Sequence, residues 1–216
     1  MERVTVYVDG FNFYYGLKHL KVKDSDWQKF YWIDFVNLFE QFLGPNQVLQ
    51  KVVYFTAVPI NVQKANRQRM LLNTNKAING NRFEIVFGKY FKKTVECPFC
   101  HAAISKPEEK RTDVNISVQM LGDCARNQTD VVLMVTADSD LAPPLEYIKL
   151  YHPEKKIKIY FPPNGYSSDL NRFMKTNKGK IIFLKDNKPK FKKAIMPDFM
   201  TINSVNYSIP TKWIIQ

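Results

Sequence analysis

The sequence predicts an α/β protein, a doubly wound and mostly parallel sheet with helices on both faces. Three observations predict it. Short runs rich in Val, Ile, Tyr and Phe alternate with longer amphipathic stretches, the order expected of strands joined by crossover helices. The run Val131 to Thr136 (VVLMVT) is apolar almost throughout, as a strand covered on both faces must be. With 45% hydrophobic and 14% aromatic residues in 216, the chain holds enough apolar side chain for a sizeable core.

The elements follow in order. Val4 to Val8 reads as a buried strand ended by Asp9-Gly10. Phe11 to Leu20 reads as a helix, with Phe11, Tyr14, Tyr15 and Lys18 at helical spacing. Ile33 to Leu43 is a second amphipathic helix, stopped by Gly44-Pro45. Lys51 to Val58 is the second strand, and Val62 to Ile78 a long basic helix. Arg82 to Phe91 reads as one strand with Gly88 as a bulge. Lys92 to Lys110 is polar and reads as an inserted loop or hairpin. Thr112 to Ala125 reads as a helix whose apolar stripe is Val114, Val118, Leu121 and Ala125. Ala142 to Leu150 is a helix with Pro143 and Pro144 in its first turn, where proline is tolerated. Ile157 to Phe161 and Lys180 to Leu184 are the last strands, with a helix at Ser168 to Lys175 between them. The main domain is placed at residues 1–184. Residues 185–216, opening with Lys185, Lys188, Lys190, Lys192 and Lys193, read as a basic C-terminal extension.

Charge narrows the partners. Thirty-two Lys and Arg against 20 Asp and Glu give a formal net charge of +12. Such a surface attracts polyanions, nucleic acid first and anionic membrane surfaces second. No apolar run reaches the roughly 18 residues of a membrane span, and the N-terminus runs straight into a strand pattern without a leader-like stretch. Three cysteines cannot all pair within one chain, so a reducing, cytoplasmic setting is expected.

In an open parallel sheet, ligands bind at the carboxyl ends of the strands. Asp9 ends the first strand, Asp138 and Asp140 follow VVLMVT, and Asp113 opens the helix that leads into that strand. All four carboxylates therefore map to one edge. Crowded carboxylates repel unless protons or cations neutralise them, and Mg²⁺ or Mn²⁺ suits oxygen ligands. Each residue alone also has a plain structural reading. Asp9-Gly10 is a turn dipeptide, Asp113 favours a helix dipole, and Ser139 or Asp140 suits a helix cap.

Three blocks carry a family resemblance. Val6-Tyr7-Val8-Asp9-Gly10-Phe11-Asn12 is similar to "hydrophobic-D-G-x-N", Glu109-Lys110-Arg111-Thr112-Asp113 to "E-K-G-x-D", and Val132-Leu133-Met134-Val135-Thr136-Ala137-Asp138-Ser139-Asp140 to "hydrophobic-S-G-D-S-D". Their order and spacing resemble the NYN-domain family, a branch of the PIN-like nucleases, over roughly Met1 to Leu184. The resemblance implies a PIN-like, Rossmann-like three-layer fold and a divalent-metal site at Asp9, Asp113, Asp138 and Asp140. It also implies an endoribonuclease acting on single-stranded or flexible RNA. Asn12 matches the family's Asn and joins the catalytic set, as a positioner of a carboxylate or phosphate; a helix N-cap is its plain reading. Arg111-Thr112 and Thr136-Ala137 depart from the family pattern. A non-catalytic RNA-binding or ribonucleoprotein-binding module is the alternative, and homo-oligomerisation stays open.

Cys97-Pro98-Phe99-Cys100-His101 resembles half of a zinc knuckle. Structural zinc needs four ligands, and no second CxxC follows. Cys97, Cys100 and His101 are the zinc candidates, against a solvated turn or a redox pair. Cys124, within a helix, reads as an inert buried thiol. Arg67, Arg69, Lys76, Lys89, Lys92 and Lys93 are the candidate phosphate contacts, with a solvated face as the ordinary reading. Tyr14, Tyr15 and Tyr90 suit base stacking or, more commonly, core packing.

Overall fold

A computed structural model describes residues 1–214, except for the side chains at 92, 93 and 104–107. In chain order the elements are β1 (Glu2–Asp9), α1 (Gly10–Lys23), α2 (Phe35–Glu40), β2 (Gln47–Thr56), α3 (Val62–Asn79), β3 (Phe83–Phe87), β4 (Lys89–Glu96) and β5 (Ala103–Lys110). There follow α4 (Thr112–Ala125), β6 (Val131–Val135), α5 (Ala142–Tyr151), β7 (Lys156–Phe161), α6 (Ser168–Thr176), β8 (Lys180–Phe183), α7 (Lys188–Lys193), β9 (Phe199–Ile202) and β10 (Val205–Ser208). Short 3-10 turns, the longest at Ser25–Tyr31, join several of them.

Six strands form one parallel sheet in the order β3-β2-β1-β6-β7-β8. The order reverses between β1 and β6, which makes that pair the topological switch point. Side chains alternate across the sheet. Val4, Val6 and Val8 join Val131, Leu133 and Val135 in the core under α1, α2 and α3. Tyr7, Val132 and Met134 pack on the other face with Ile116 and Met120 of α4 and Leu145 and Ile148 of α5. At the amino end of the same strand pair, Arg3 clamps the register. Its guanidinium holds both oxygens of Asp130, at 2.9 and 2.7 Å, while its backbone N–H donates at 2.8 Å.

The expected strand at Arg82 to Phe91 is two strands. Gly88 separates β3, in the large sheet, from β4, which pairs only with β5 in an antiparallel hairpin. A Cβ at Gly88 would lie 2.8 Å from the Lys110 carbonyl oxygen, a backbone atom, and 2.7 Å from the Thr112 hydroxyl, so glycine suits the point where the chain leaves the sheet.

One helix face is corrected. On α4, Val114 and Val118 are 64% and 65% exposed, and the buried line is Thr112, Ile116, Met120, Asp123 and Cys124. That line was hard to see because it buries a carboxylate. Asp123 is fully satisfied by Tyr7 Oη (2.9 Å), Gln119 Nε2 (3.0 Å) and Arg126 (3.2 Å). On α1 the buried residues are Gly10, Phe13, Gly16 and Leu17; Tyr14 is half-buried against the same core and Tyr15 is exposed.

The segment after Leu184 is built into the larger core. Phe191 of α7 is fully buried among Phe13, Trp27 and Phe30, with ring centroids 6.1, 5.6 and 5.2 Å away. A backbone bridge joins Ile33 to Ile195, and Trp32 Nε1 donates to the Pro197 carbonyl at 2.9 Å. Burial of these apolar rings outweighs the lysines around them, whose flexible stems keep the charge in water.

Candidate metal centre

Strand parity delivers the first two groups. Asp9 lies two residues beyond Tyr7 and Thr136 two beyond Met134, so both project onto the α4 face at the carboxyl edge of the switch-point strands. The Thr136 hydroxyl donates to Asp9 Oδ2 at 3.0 Å and accepts the Asp138 N–H at 3.0 Å. Asp113 reaches the same place from the first turn of α4, where the β5 end of the hairpin hands the chain over. Arg111 makes that corner with φ at +79°.

One carboxylate oxygen from each of Asp9, Asp113 and Asp138 lies within 4.8 Å of the others. Asp9 is the buried member, and it is heavily engaged. Oδ1 accepts the N–H groups of Phe11 and Asn12 (both 3.1 Å), and Oδ2 accepts the Asn12 amide (2.5 Å) as well as Thr136. Asp9, not Asn12, is therefore the N-cap of α1. Asn12 instead straddles the site, because its Oδ1 accepts the Ala137 N–H at 3.3 Å. Its two ends tie the β1 carboxylate to the loop after β6.

Charge crowding shows in the acidities. Burial raises the Asp9 carboxyl, its hydrogen bonds pull it back down, and Asp138 raises it further. Asp113 is pushed up to about 6, first by burial and then by the charges of Asp138, Asp9, Glu109 and Asp140. Among the described residues no Lys or Arg makes an ion pair with Asp9, Asp113 or Asp138, and the Asp113 carboxylate has no hydrogen-bond partner. Repulsion among close carboxylates without a counter-charge is relieved by a proton or by a hard cation. The donor set, all carboxylate oxygen, fits Mg²⁺ or Mn²⁺.

Asp140 does not join this group. It is exposed, its backbone N–H donates to Asp138 Oδ1 at 3.0 Å, and its carboxylate acts on Asp113 only through its charge. The tight 3-10 turn at Ser139–Leu141 explains this, since Asp138 caps that turn and points its side chain inward while Asp140 is turned out. Neither Ser139 nor Asp140 caps α5, whose N-cap position is Leu141 and whose first turn holds Pro143 and Pro144.

Two residues were missed as site groups. Thr136 was visible only as a departure from the family pattern, although its place two residues past Met134 carries the signal. Glu109 accepts the Thr112 N–H at 3.2 Å and also the Thr112 hydroxyl, fixing the entry into α4 just before Asp113.

The basic candidates scatter. Burial raises the half-buried Tyr14 phenol, and the charge of Arg67 nearby pulls it part of the way back. Arg69 is exposed and bonded to Asn66. Lys89 is exposed at the base of the hairpin, opposite Lys110. Lys76 is not near the carboxylates. Its ammonium donates to the Phe83 carbonyl at 3.0 Å, at the amino end of β3. α3 runs back along the sheet for 18 residues, or about 27 Å, so its two ends serve opposite edges. The side chains of Lys92 and Lys93 lie outside the described residues. Phe11 and Tyr90 meet edge to face at 6.1 Å near the site, and Tyr15 is 45% exposed.

At the hairpin tip Cys97 and Cys100 are free thiols, and His101 Nδ1 faces Glu96 Oε1 at 2.5 Å. Among the described residues no third ligand converges with the two thiols, so His101 is not placed as a zinc ligand. Cys124 is buried, as expected of an inert thiol.

Comparison with known proteins gives three findings. The family model described as NYN domain matches residues 3–176. The chain is 27% identical over 204 residues, 78% of its own length, to a Pseudomonas putida (strain DSM 28022 / S16) protein named 6-hydroxy-3-succinoylpyridine 3-monooxygenase. It spans 62% of that relative, less than two thirds of its length. A crystal structure of a Vibrio parahaemolyticus protein of unknown function shares the fold, with a TM-score of 0.55 at 18% identity over 86% of this chain and 94% of that one.

Proposed function

The chain belongs to the NYN domain family, and on that premise we propose that it is a divalent-metal-dependent endoribonuclease acting on single-stranded or flexible RNA. The observation that carries the reading is the convergence of Asp9, Asp113 and Asp138 at the switch point of the sheet. These three would hold Mg²⁺ or Mn²⁺. Bound there, the ion supplies an acidified water and charge neutralisation for in-line attack on a phosphodiester.

The chain's own residues have distinct tasks in this reading. Asp9 is locked by Asn12 and Thr136 and keeps its oxygens aimed at the centre. Asp138 is held by the N–H of Asp140. Asp113, whose carboxylate carries no hydrogen bond among the described residues, is free to turn its oxygens to the ion; without the ion, burial and its acidic neighbours push it up to about 6. Asp140 shapes the field rather than ligating. The overall +12 charge favours capture of a polyanion around this acidic centre. An odd number of cysteines suits a reducing compartment, and the cytoplasm is the setting this reading takes.

The test is cleavage of a labelled mixed-sequence single-stranded RNA with Mn²⁺, Mg²⁺ or EDTA, run beside Asp138→Asn. Metal-dependent cutting that falls by about 100-fold or more in the variant is expected. RNA retention without cutting under any metal would replace the reading with a binding module. The name of the Pseudomonas relative supplies a second reading, oxygenation of a small pyridine compound. Consumption of 6-hydroxy-3-succinoylpyridine in the presence of oxygen and a reductant, with RNA left intact, would select it.

A further inference from the structure

We infer that the tip of the β4–β5 hairpin is half of a structural zinc site, in which Cys97 and Cys100 supply two thiolate ligands and the same pair from a second copy of this chain supplies the other two. The inference stands apart from the RNA-cleavage reading.

The hairpin is a projecting arm. Its strands pair with each other from Lys89↔Lys110 to Glu96↔Ala103, and neither joins another strand. Seven steps of antiparallel strand carry the tip about 24 Å from its base. There the chain closes on itself. The Cys97 N–H donates to the Ala102 carbonyl at 3.0 Å, and the His101 N–H donates back to the Cys97 carbonyl at 2.9 Å. His101 completes the turn in the left-handed region, with φ at +57°.

This closure sets Cys97 and Cys100, three residues apart and both free thiols, within one tight turn. Two cysteines so spaced in a closed turn can present two thiolates, the form that ligates metal, to one ion. The turn is thus shaped for two thiolates around one ion rather than for a solvated loop.

Counting ligands decides what completes the site. Structural zinc is closed by four protein ligands. Among the described residues His101 does not converge with the two thiols, Cys124 is buried on the core face of α4, and His19 and His152 lie on α1 and just after α5. Within the described chain the set stops at two. A two-fold axis through the ion doubles it to four and gives a self-complementary contact. Phe99, between the two cysteines, is 94% exposed and is the apolar surface such a contact would cover.

The experiment uses the full chain. Purified protein, reduced and loaded with zinc, is expected to carry one zinc per two chains by elemental analysis and to run as a dimer by light scattering. EDTA should convert it to monomer, and zinc should restore the dimer. Cys97→Ser and Cys100→Ser should each lose both the zinc and the dimer while keeping the wild-type circular dichroism, because the arm is remote from both cores. Cobalt in place of zinc should give the intense thiolate charge-transfer bands of a four-sulfur site. One zinc per monomer would overturn the shared site, as would a dimer that persists in both serine variants with EDTA. Reduced protein that binds no zinc would overturn the metal itself.

Discussion

Replacing Asp113 with Asn should change stability in opposite directions with and without metal. The folded Asp113 carboxyl titrates at about 6, against its ordinary 3.8. A raised acid pKa means that the folded state holds the proton more tightly. The contribution of the protonated carboxyl is therefore fully present below about 3.8 and is lost as pH rises through about 6. Above that, the ionised group destabilises the metal-free fold by up to ~3 kcal/mol. Asp113 is only half-buried, and solvent screening reduces this to ~1.5 kcal/mol. Asn forfeits the favourable contact of a first-turn carboxylate with the helix dipole, worth about 0.5 kcal/mol, which leaves a net gain of ~1 kcal/mol. For a chain of this size that is about 2–4 °C in melting temperature at pH 8 in EDTA, and close to nothing at pH 4. With Mn²⁺ at about 100 times its Kd, the wild type should gain ~2.7 kcal/mol and the variant little, so the ranking inverts. Thermal melts of both proteins with EDTA and with Mn²⁺, at pH 4 and pH 8, make the check. An Asp113→Asn protein less stable than wild type in EDTA at pH 8, or equally stabilised by Mn²⁺, would refute the reasoning.

Three further outcomes are expected. Thr136→Val keeps the shape but strips a donor from Asp9 and an acceptor from the Asp138 N–H; Mn²⁺ affinity by calorimetry should fall about ten-fold or more, with a stability cost of about 1–2 kcal/mol. Phe191→Ala should cost about 3–5 kcal/mol in urea unfolding, because the ring is fully buried in the main core; a loss below about 1 kcal/mol would mean that the C-terminal segment is peripheral. Gly16→Ala should fold poorly or melt far lower, since the new Cβ would lie 1.8 Å from the Pro163 carbonyl oxygen, a backbone atom with nowhere to retreat. A variant that melts within a few degrees of wild type would show that α1 sits farther from that loop.

The sequence by itself determined the kind of sheet and the edge. Apolar runs such as VVLMVT and the alternating helices specify a parallel sheet, and an Asp at the end of a strand must then lie at its carboxyl edge. Local chemistry also foretold the break at Gly88, though as a bulge, and the turn at Cys97 to His101. What the sequence left undecided were quantities set by rotation and distance. Val114 and Val118 are more apolar than Thr112 and Asp123, yet α4 turns the latter pair inward, because Asp123 finds Tyr7, Gln119 and Arg126 there. Asp140 reads like Asp138 in the text, and only the 3-10 turn between them sends one carboxylate into the centre and the other into solvent. Lys76 shares a helix with Arg67, but the length of α3 carries it to the opposite end of the sheet. The lysine-rich segment after Leu184 looks like a tail until Phe191 is seen among Phe13, Trp27 and Phe30. In each case a periodic pattern names the residue type that suits a face. Satisfied hydrogen bonds and close packing, which join residues far apart in the chain, then choose the residue that occupies it.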